Sequence, residues 1–158
     1  MLNFQFSTDT AELAIFDPER LLHRKDEAGD WWTLQRENLL ELNAGNLLSM
    51  DLGADGLYSV DVEKIAGGQI SSTSIKANLN VSSGSIFIGA GEDITGGELE
   101  PDESFGGRFV SLEPGWYSIC VARDGTSKLL IGIRRLEKPA ANNFCEILRL
   151  PVSRMPNN

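Results

Sequence analysis

The sequence predicts a mainly β fold: an antiparallel β-sandwich or jelly-roll-like domain of about eight strands, with one short helix in its N-terminal third. Three observations carry this. Ile75, Ala77, Leu79 and Val81 alternate with Lys76, Asn78 and Asn80, the period of two of a half-buried strand. Short apolar runs recur between turn residues, at Gly53-Ala54-Asp55-Gly56, Ser83-Gly84, Glu113-Pro114-Gly115 and Asp124-Gly125. One stretch, 33–43, instead spreads Leu34, Leu39, Leu40 and Leu42 among polar residues, as an amphipathic helix does.

In chain order, AELAIF (11–16) reads as the first strand, and Asp17-Pro18 ends it because proline donates nothing to a ladder. A charged connection around His23–Asp30 leads to Trp31 and Trp32. The helix follows, with Thr33 in position to cap its start and Gly45 to close it. LLSMDL (47–52) and LYSVDVE (57–63) flank Asp55-Gly56, which predicts a hairpin, since Asp-Gly accepts positive φ at both places. In the second run Tyr58, Val60 and Val62 face one way, Leu57, Ser59, Asp61 and Glu63 the other. The strand at 75–81, SIFIGA (85–90), RFVSL (108–112), WYSICVA (116–122) and KLLIGIRRL (128–136) complete the set, and FCEILRL (144–150) reads as a last strand or a short helix.

The break in this rhythm is Gly89–Gly107. It holds Glu92, Asp93, Glu98, Glu100, Asp102 and Glu103, and no Lys or Arg. The 158 residues fit one domain, 1–158, with a formal charge of −9. The charge is uneven: residues 1–107 carry 6 Lys and Arg against 19 Asp and Glu, a net of −13, and the remainder is positive. Such a surface repels phosphate backbones, which argues against nucleic acid, and attracts a basic protein.

Several chemistries lack their residues. Ile94 stands where a dinucleotide fingerprint needs its last glycine, and Gly97-Glu98 where a P-loop needs Lys-Ser/Thr. Asp51–Gly56 misses two ligands of a calcium loop. His23 is the single histidine, and Cys120 and Cys145 are far apart, so no transition-metal site, cofactor or catalytic group is expected. Cys120 alternates with apolar neighbours and reads as a buried thiol. Trp116 reads as core. Trp31 and Trp32 are adjacent, so one is expected in the core and the other on a cleft or a partner. MLNFQFSTDT has neither the basic nor the apolar region of a signal peptide, and no run approaches the roughly 20 apolar residues of a membrane helix, which predicts a cytoplasmic protein.

The runs LAIFDP (13–18), GDWWTLQRENLLELNAGNLLSM (29–50) and FVSLEPGWYSICV (109–121) resemble, in their order, the bacterial inhibitor of the DNA-entry nuclease. That family is a small β-sandwich that binds and silences a secreted nuclease. The chain resembles more closely an uncharacterised bacterial family of stand-alone domains with GDWW and an IFIGAGEDITGG-like segment, a resemblance that implies a fold and no chemistry. No inhibitory residue carries over position by position. The expectation is a non-enzymatic binding protein, an immunity protein or inhibitor that occludes a basic toxin such as a nuclease. Its partner-binding residues would be Glu92, Asp93, Glu98, Glu100, Asp102, Glu103, Trp31 and Trp32. The alternative is a small-ligand or carbohydrate-binding sandwich with a tryptophan as stacking platform.

Overall fold

The computed structural model describes residues 2–27, 30–65, 74–94 and 101–151. Among the described residues, ten strands form two five-stranded sheets. They are β1 (Leu2–Thr8), β2 (Glu12–Phe16), β3 (Leu47–Asp51), β4 (Gly56–Lys64), β5 (Ile75–Val81), β6 (Ser85–Ala90), β7 (Arg108–Ser111), β8 (Gly115–Asp124), β9 (Lys128–Arg135) and β10 (Leu148–Arg149). One sheet runs β1-β4-β9-β8-β5 and the other β10-β3-β2-β6-β7. Pairing is antiparallel except between β4 and β9 and between β3 and β10. There is no closed barrel.

The main core lies between the sheets. Phe6, Tyr58, Val60, Leu79, Ile119, Val121 and Ile131 enter it from one side, and Leu13, Ile15, Leu48, Met50, Ile86 and Ile88 from the other. Leu57, on the opposite face of β4, is exposed, so the predicted alternation in that strand is observed.

β2, β3 and β6 are buried on both faces, a pattern normally reserved for strands with cover on each side. The cover is a third layer. Residues Pro18–Arg24 and Trp31–Thr33 form 3-10 turns, and α1 (Gln35–Ala44) follows. A second core cluster, Ala14, Phe16, Leu21, Trp31, Trp32, Leu47, Phe87 and Ile94, fills the space between this layer and the sheet. Asp17 pins the layer in place: its Oδ1 accepts from the Glu19 N–H and its Oδ2 from the N–H groups of Ser82 and Ser83, at 2.7–3.0 Å. The Asp-Pro that ends the strand is therefore also a helix cap with proline at its first turn.

Three local expectations are corrected. Gly53–Gly56 does not close a hairpin, because β3 and β4 belong to different sheets. The same turn chemistry lets a chain leave one sheet and enter the facing one, and Met50 and Tyr58 then both enter the core between the sheets. β1 is a strand that no sequence signal announces. Its alternation of Asn3, Gln5 and Ser7 with Phe4, Phe6 and Thr8 is clear once paired with β4, but begins at the terminus without a turn signal before it. Thr33 does not cap α1; Leu34 occupies the cap position and offers no side-chain hydrogen bond. Gly45 closes the helix as expected, at φ 81°, where an added Cβ would lie 2.5 Å from Trp116.

Side chains and loop backbone occupy part of the edge at β5, β1 and β7. The Asn142 side chain exchanges two 2.8 Å hydrogen bonds with the backbone of Asn78 on β5. Gly107 donates to the Gln5 carbonyl on β1, and the Glu103 carboxylate takes the Phe109 N–H on β7.

Candidate functional site: an acidic corner beside a leucine-faced helix

The acidic insert leaves β6 at Ala90 and rejoins at β7. Its glycines answer to packing. An added Cβ on Gly89 or on Gly107 would come within 2.7 Å of the Phe87 ring, and one on Gly91 within 2.7 Å of Glu12 Cβ and 3.3 Å of Trp32. Gly91–Asp93 forms a 3-10 turn seated on the second core cluster through Ile94.

The carboxylates behave differently from one another. Glu92 turns inward and accepts from Thr8 Oγ1 (2.7 Å), Thr10 Oγ1 (2.9 Å) and the Asp9 N–H (2.6 Å). Burial alone would raise its pKa, but these donors lower it. Asp93 is pushed up to about 6, first by burial and then by the charge of Glu92. Asp102 and Glu103 are exposed at a second 3-10 turn; Asp102 caps it by accepting from the Ser104 N–H. Glu98 and Glu100 lie outside the described residues.

A further carboxylate belongs to this corner. Glu12 on β2 stands directly opposite Asp51 on β3. Its Oε2 is buried with no hydrogen-bond partner among the described residues, and burial, then Asp51, then Glu92 raise its pKa to about 7. Like charges in register destabilise a strand pair, so the proton goes to Glu12. Only the strand pairing reveals this; Glu12 and Asp51 are far apart in the chain. Among the described residues no three His, Cys, Asp or Glu side chains converge as metal ligands.

Trp31 and Trp32 correct the expectation that one of them faces a partner or a cleft. Both are buried, at 4% and 5% exposure. A 3-10 turn, not a strand, carries them, so neighbouring side chains both enter the wedge between α1 and the sheet. Trp31 lies under the Arg24 guanidinium, 4.6 Å from ring centre to Cζ, and Trp32 abuts Gly91. Trp116 is partly buried against Gly45.

The helical layer holds an ionic network. Arg24, 8% exposed, reaches Glu27 (2.8 Å), Glu37 (2.7 Å) and Glu41 (3.1 Å). Glu41 also meets His23 Nε2 at 2.6 Å and accepts from Asn46 Nδ2. His23 is thus half-exposed but tied down.

α1 is not cleanly amphipathic, although Leu42 is buried and Leu39 packs against the main core. It buries Asn38 and Glu41 beside Leu42, and leaves Leu40 at 55% exposure, with Leu34 at its cap at 60%. Asn38 donates to the Trp32 carbonyl and to Ser49 Oγ. Leucine at a cap position forgoes about 0.5–2 kcal/mol relative to Ser, Thr, Asp or Asn. A shallow groove of about 590 Å³ runs along the outer face, its described lining Gln35, Arg36, Leu39, Leu40 and Asn43. The predicted amphipathic leucines are present, but two of them face water.

A two-sheet sandwich with a helical cover and an acidic corner is thus the class the geometry defines. Residues 1–150 match the family of unknown function DUF6386, and the chain belongs to it. No curated protein sequence matches. Among solved structures, the chain is similar in fold to ComJ from Bacillus subtilis, an inhibitor of the DNA-degrading activity of NucA. The TM-score is 0.57 at 10% identity, over 86% of this chain and 96% of that one. It is also similar to the product of crocagin biosynthetic gene J, with TM-score 0.54 and 13% identity over 87% and 96%. No helix among the described residues is long and apolar enough to cross a membrane.

Proposed function

We propose that this protein is a non-enzymatic inhibitor or immunity protein that occludes a basic protein partner, a nuclease being the leading case. The observation that carries the reading is the acidic corner. Asp102 and Glu103 are exposed at one 3-10 turn, while on the other Asp93 is half-buried and Glu92 is taken up in holding Thr8–Thr10. An acidic surface built on a rigid sandwich attracts a basic active site and hastens the encounter. The fold shared with an inhibitor of a DNA-degrading enzyme supports the same reading. The carbohydrate alternative loses its stacking platform with the burial of Trp31 and Trp32.

The test is co-purification at low salt from the bacterium that encodes the chain. A stoichiometric basic protein, released by salt and losing its DNA-degrading activity when the chain is added back, is the expected result. A partner with an acidic surface, or undiminished nuclease activity in the complex, overturns the reading. Changing Glu98, Glu100, Asp102 and Glu103 together to Gln or Asn should slow association and flatten its salt dependence.

A further inference from the structure

We infer that the outer face of α1 around Leu40, together with the exposed Leu34 at the helix start, is the apolar anchor of a docking surface for a basic protein, with the acidic corner as its flank. The inference rests on the proposed function and moves its energetic centre from the carboxylates to the helix.

Four observations meet here. The helix presents leucine where its own folding favours polar residues: at the cap, and on the face turned away from the sheet. The polar residues Asn38 and Glu41 are inside: Asn38 Nδ2 donates to Trp32 and Ser49, its Oδ1 is buried with no partner among the described residues, and Glu41 is held by His23, Arg24 and Asn46, which ties the helix down in this orientation. The groove beside Leu39 and Leu40 gives the leucines a concave neighbour. The acidic turn Glu92–Asp93 belongs to the same side of the molecule, because Gly91 and Ile94 pack with Trp32 in the cluster under α1.

Isolated surface leucines are ordinary. A helix that buries Asn38 and Glu41, exposes Leu40 and starts at an uncapped Leu34 is not, since it gives up a cap and leaves an apolar side chain in water. The sign of the flank chooses the occupant. Glu19, Asp26 and Asp30 are exposed around the helical layer against Lys25 and Arg36, Glu27 being paired with Arg24, and the acidic corner adds Asp102 and Glu103, the latter 3.8 Å from Arg108. A second copy of this chain, itself at −9, would bring like charges together; a basic surface with apolar side chains at its centre would not.

A photo-crosslinking amino acid placed in turn at Leu40, Glu103 and Leu57 tests this in the encoding bacterium, Leu57 being an exposed leucine on the opposite sheet. The expected result is an adduct from position 40, absent from position 57, to a protein richer in Lys and Arg than in Asp and Glu. With that protein purified, Leu34→Ser with Leu40→Gln should weaken binding about tenfold or more, the scale of losing one anchor. Leu34→Ser alone should raise the melting temperature, because it restores a cap, so lost binding cannot be ascribed to unfolding. An adduct to a second copy of this chain, an equal adduct from position 57, or full-strength binding by the double variant overturns the inference. A basic adduct from Glu103 without one from Leu40 overturns the helix face and leaves the proposed function standing. No basic adduct from either position removes both.

Discussion

Two carboxylate clusters sit a few residues from the second core and resolve the same problem in opposite ways. Around Glu41 the charge is met by Arg24, His23 and Asn46, and the hydrogen bonds outweigh burial and hold its pKa below the usual value. Around Glu12 the cation is indirect: Arg149 lies 3.7 Å from Asp51, and among the described residues none pairs with Glu12 itself. Burial, Asp51 and Glu92 act in one direction, and the carboxyl is pushed up to about 7. The first cluster is a closed latch between a 3-10 turn and α1. The second is a crowded carboxylate corner in which Glu12 keeps its proton toward neutral pH and only Asp51 meets a cation, Arg149. Stability has been invested in one, and charge crowded into the other.

The largest test of this contrast is Arg24→Met. It keeps the volume of the stem over Trp31 but leaves Glu41, with a side chain 6% exposed, short of its main cation. Breaking a buried pair from one side costs about 3–5 kcal/mol, so the urea midpoint should fall sharply. A loss below about 1 kcal/mol would make the network no more than a surface decoration.

Gly91→Ala should come next. Its Cβ would be forced to within 2.7 Å of Glu12 Cβ, an atom near the backbone that cannot swing away. Overpacking of this kind costs about 1–3 kcal/mol. The same change at Gly125, whose Cβ would meet nothing within 4 Å, separates crowding from glycine's backbone freedom, since only Gly125 of the two has positive φ. Equal losses would mean that the acidic turn is not seated on Glu12 and Trp32.

How much of this was readable in advance follows from what kind of signal each feature leaves. The alternation at 75–81 and the Gly45 stop are local, and both appear where the sequence puts them. The turn at 53–56 is local too, but whether it joins neighbours in one sheet or crosses to the other depends on partners that turn chemistry does not encode. The acidic insert was visible as composition. That Glu92 is internal while Asp102 is exposed was not, because the donors come from Thr8–Thr10. Glu12 could not be found at all without the register that sets it against Asp51. Trp31 and Trp32 misled for a related reason: strand geometry separates adjacent side chains, and a 3-10 turn under a third layer does not.

Glu12→Gln sharpens the comparison through pH. The folded protein holds the Glu12 proton more tightly than the unfolded chain, with a pKa of about 7 against 4.5. Its contribution is therefore complete below pH 4.5 and lost as pH rises through about 7. Glu41 has the opposite sign: its contribution is present above 4.5 and lost as pH falls through its lowered value. Glu12→Gln should leave acid stability unchanged and raise stability at pH 8 by on the order of 1 kcal/mol, since solvent reaches part of the carboxylate and screens it. Glu41→Gln should instead lower stability at neutral pH and remove part of the acid limb. Parallel curves for the two variants would end the distinction between latch and corner.

The smallest effect belongs to the exposed end of the insert, and its smallness is the point. Asp102 accepts from the Ser104 N–H and Glu103 from the Phe109 N–H. Asn and Gln retain an oxygen for each of these bonds, so Asp102→Asn and Glu103→Gln remove charge and keep the turn. Exposed charges with solvated surroundings contribute within about 0.5 kcal/mol, which in a chain of this size moves the melting temperature by roughly 1–2 °C. Calorimetry of the two single variants and the pair should therefore superimpose on the parent within that range. A basic partner should notice what the fold does not. The paired variant should associate more slowly at low salt and indistinguishably at high salt, where the Debye length shrinks to a few ångströms. A drop of several degrees would place Asp102 and Glu103 with Arg24 among the groups that hold the fold. The acidic corner would then be a second latch, and its negative charge a by-product of structure instead of a surface kept for a partner.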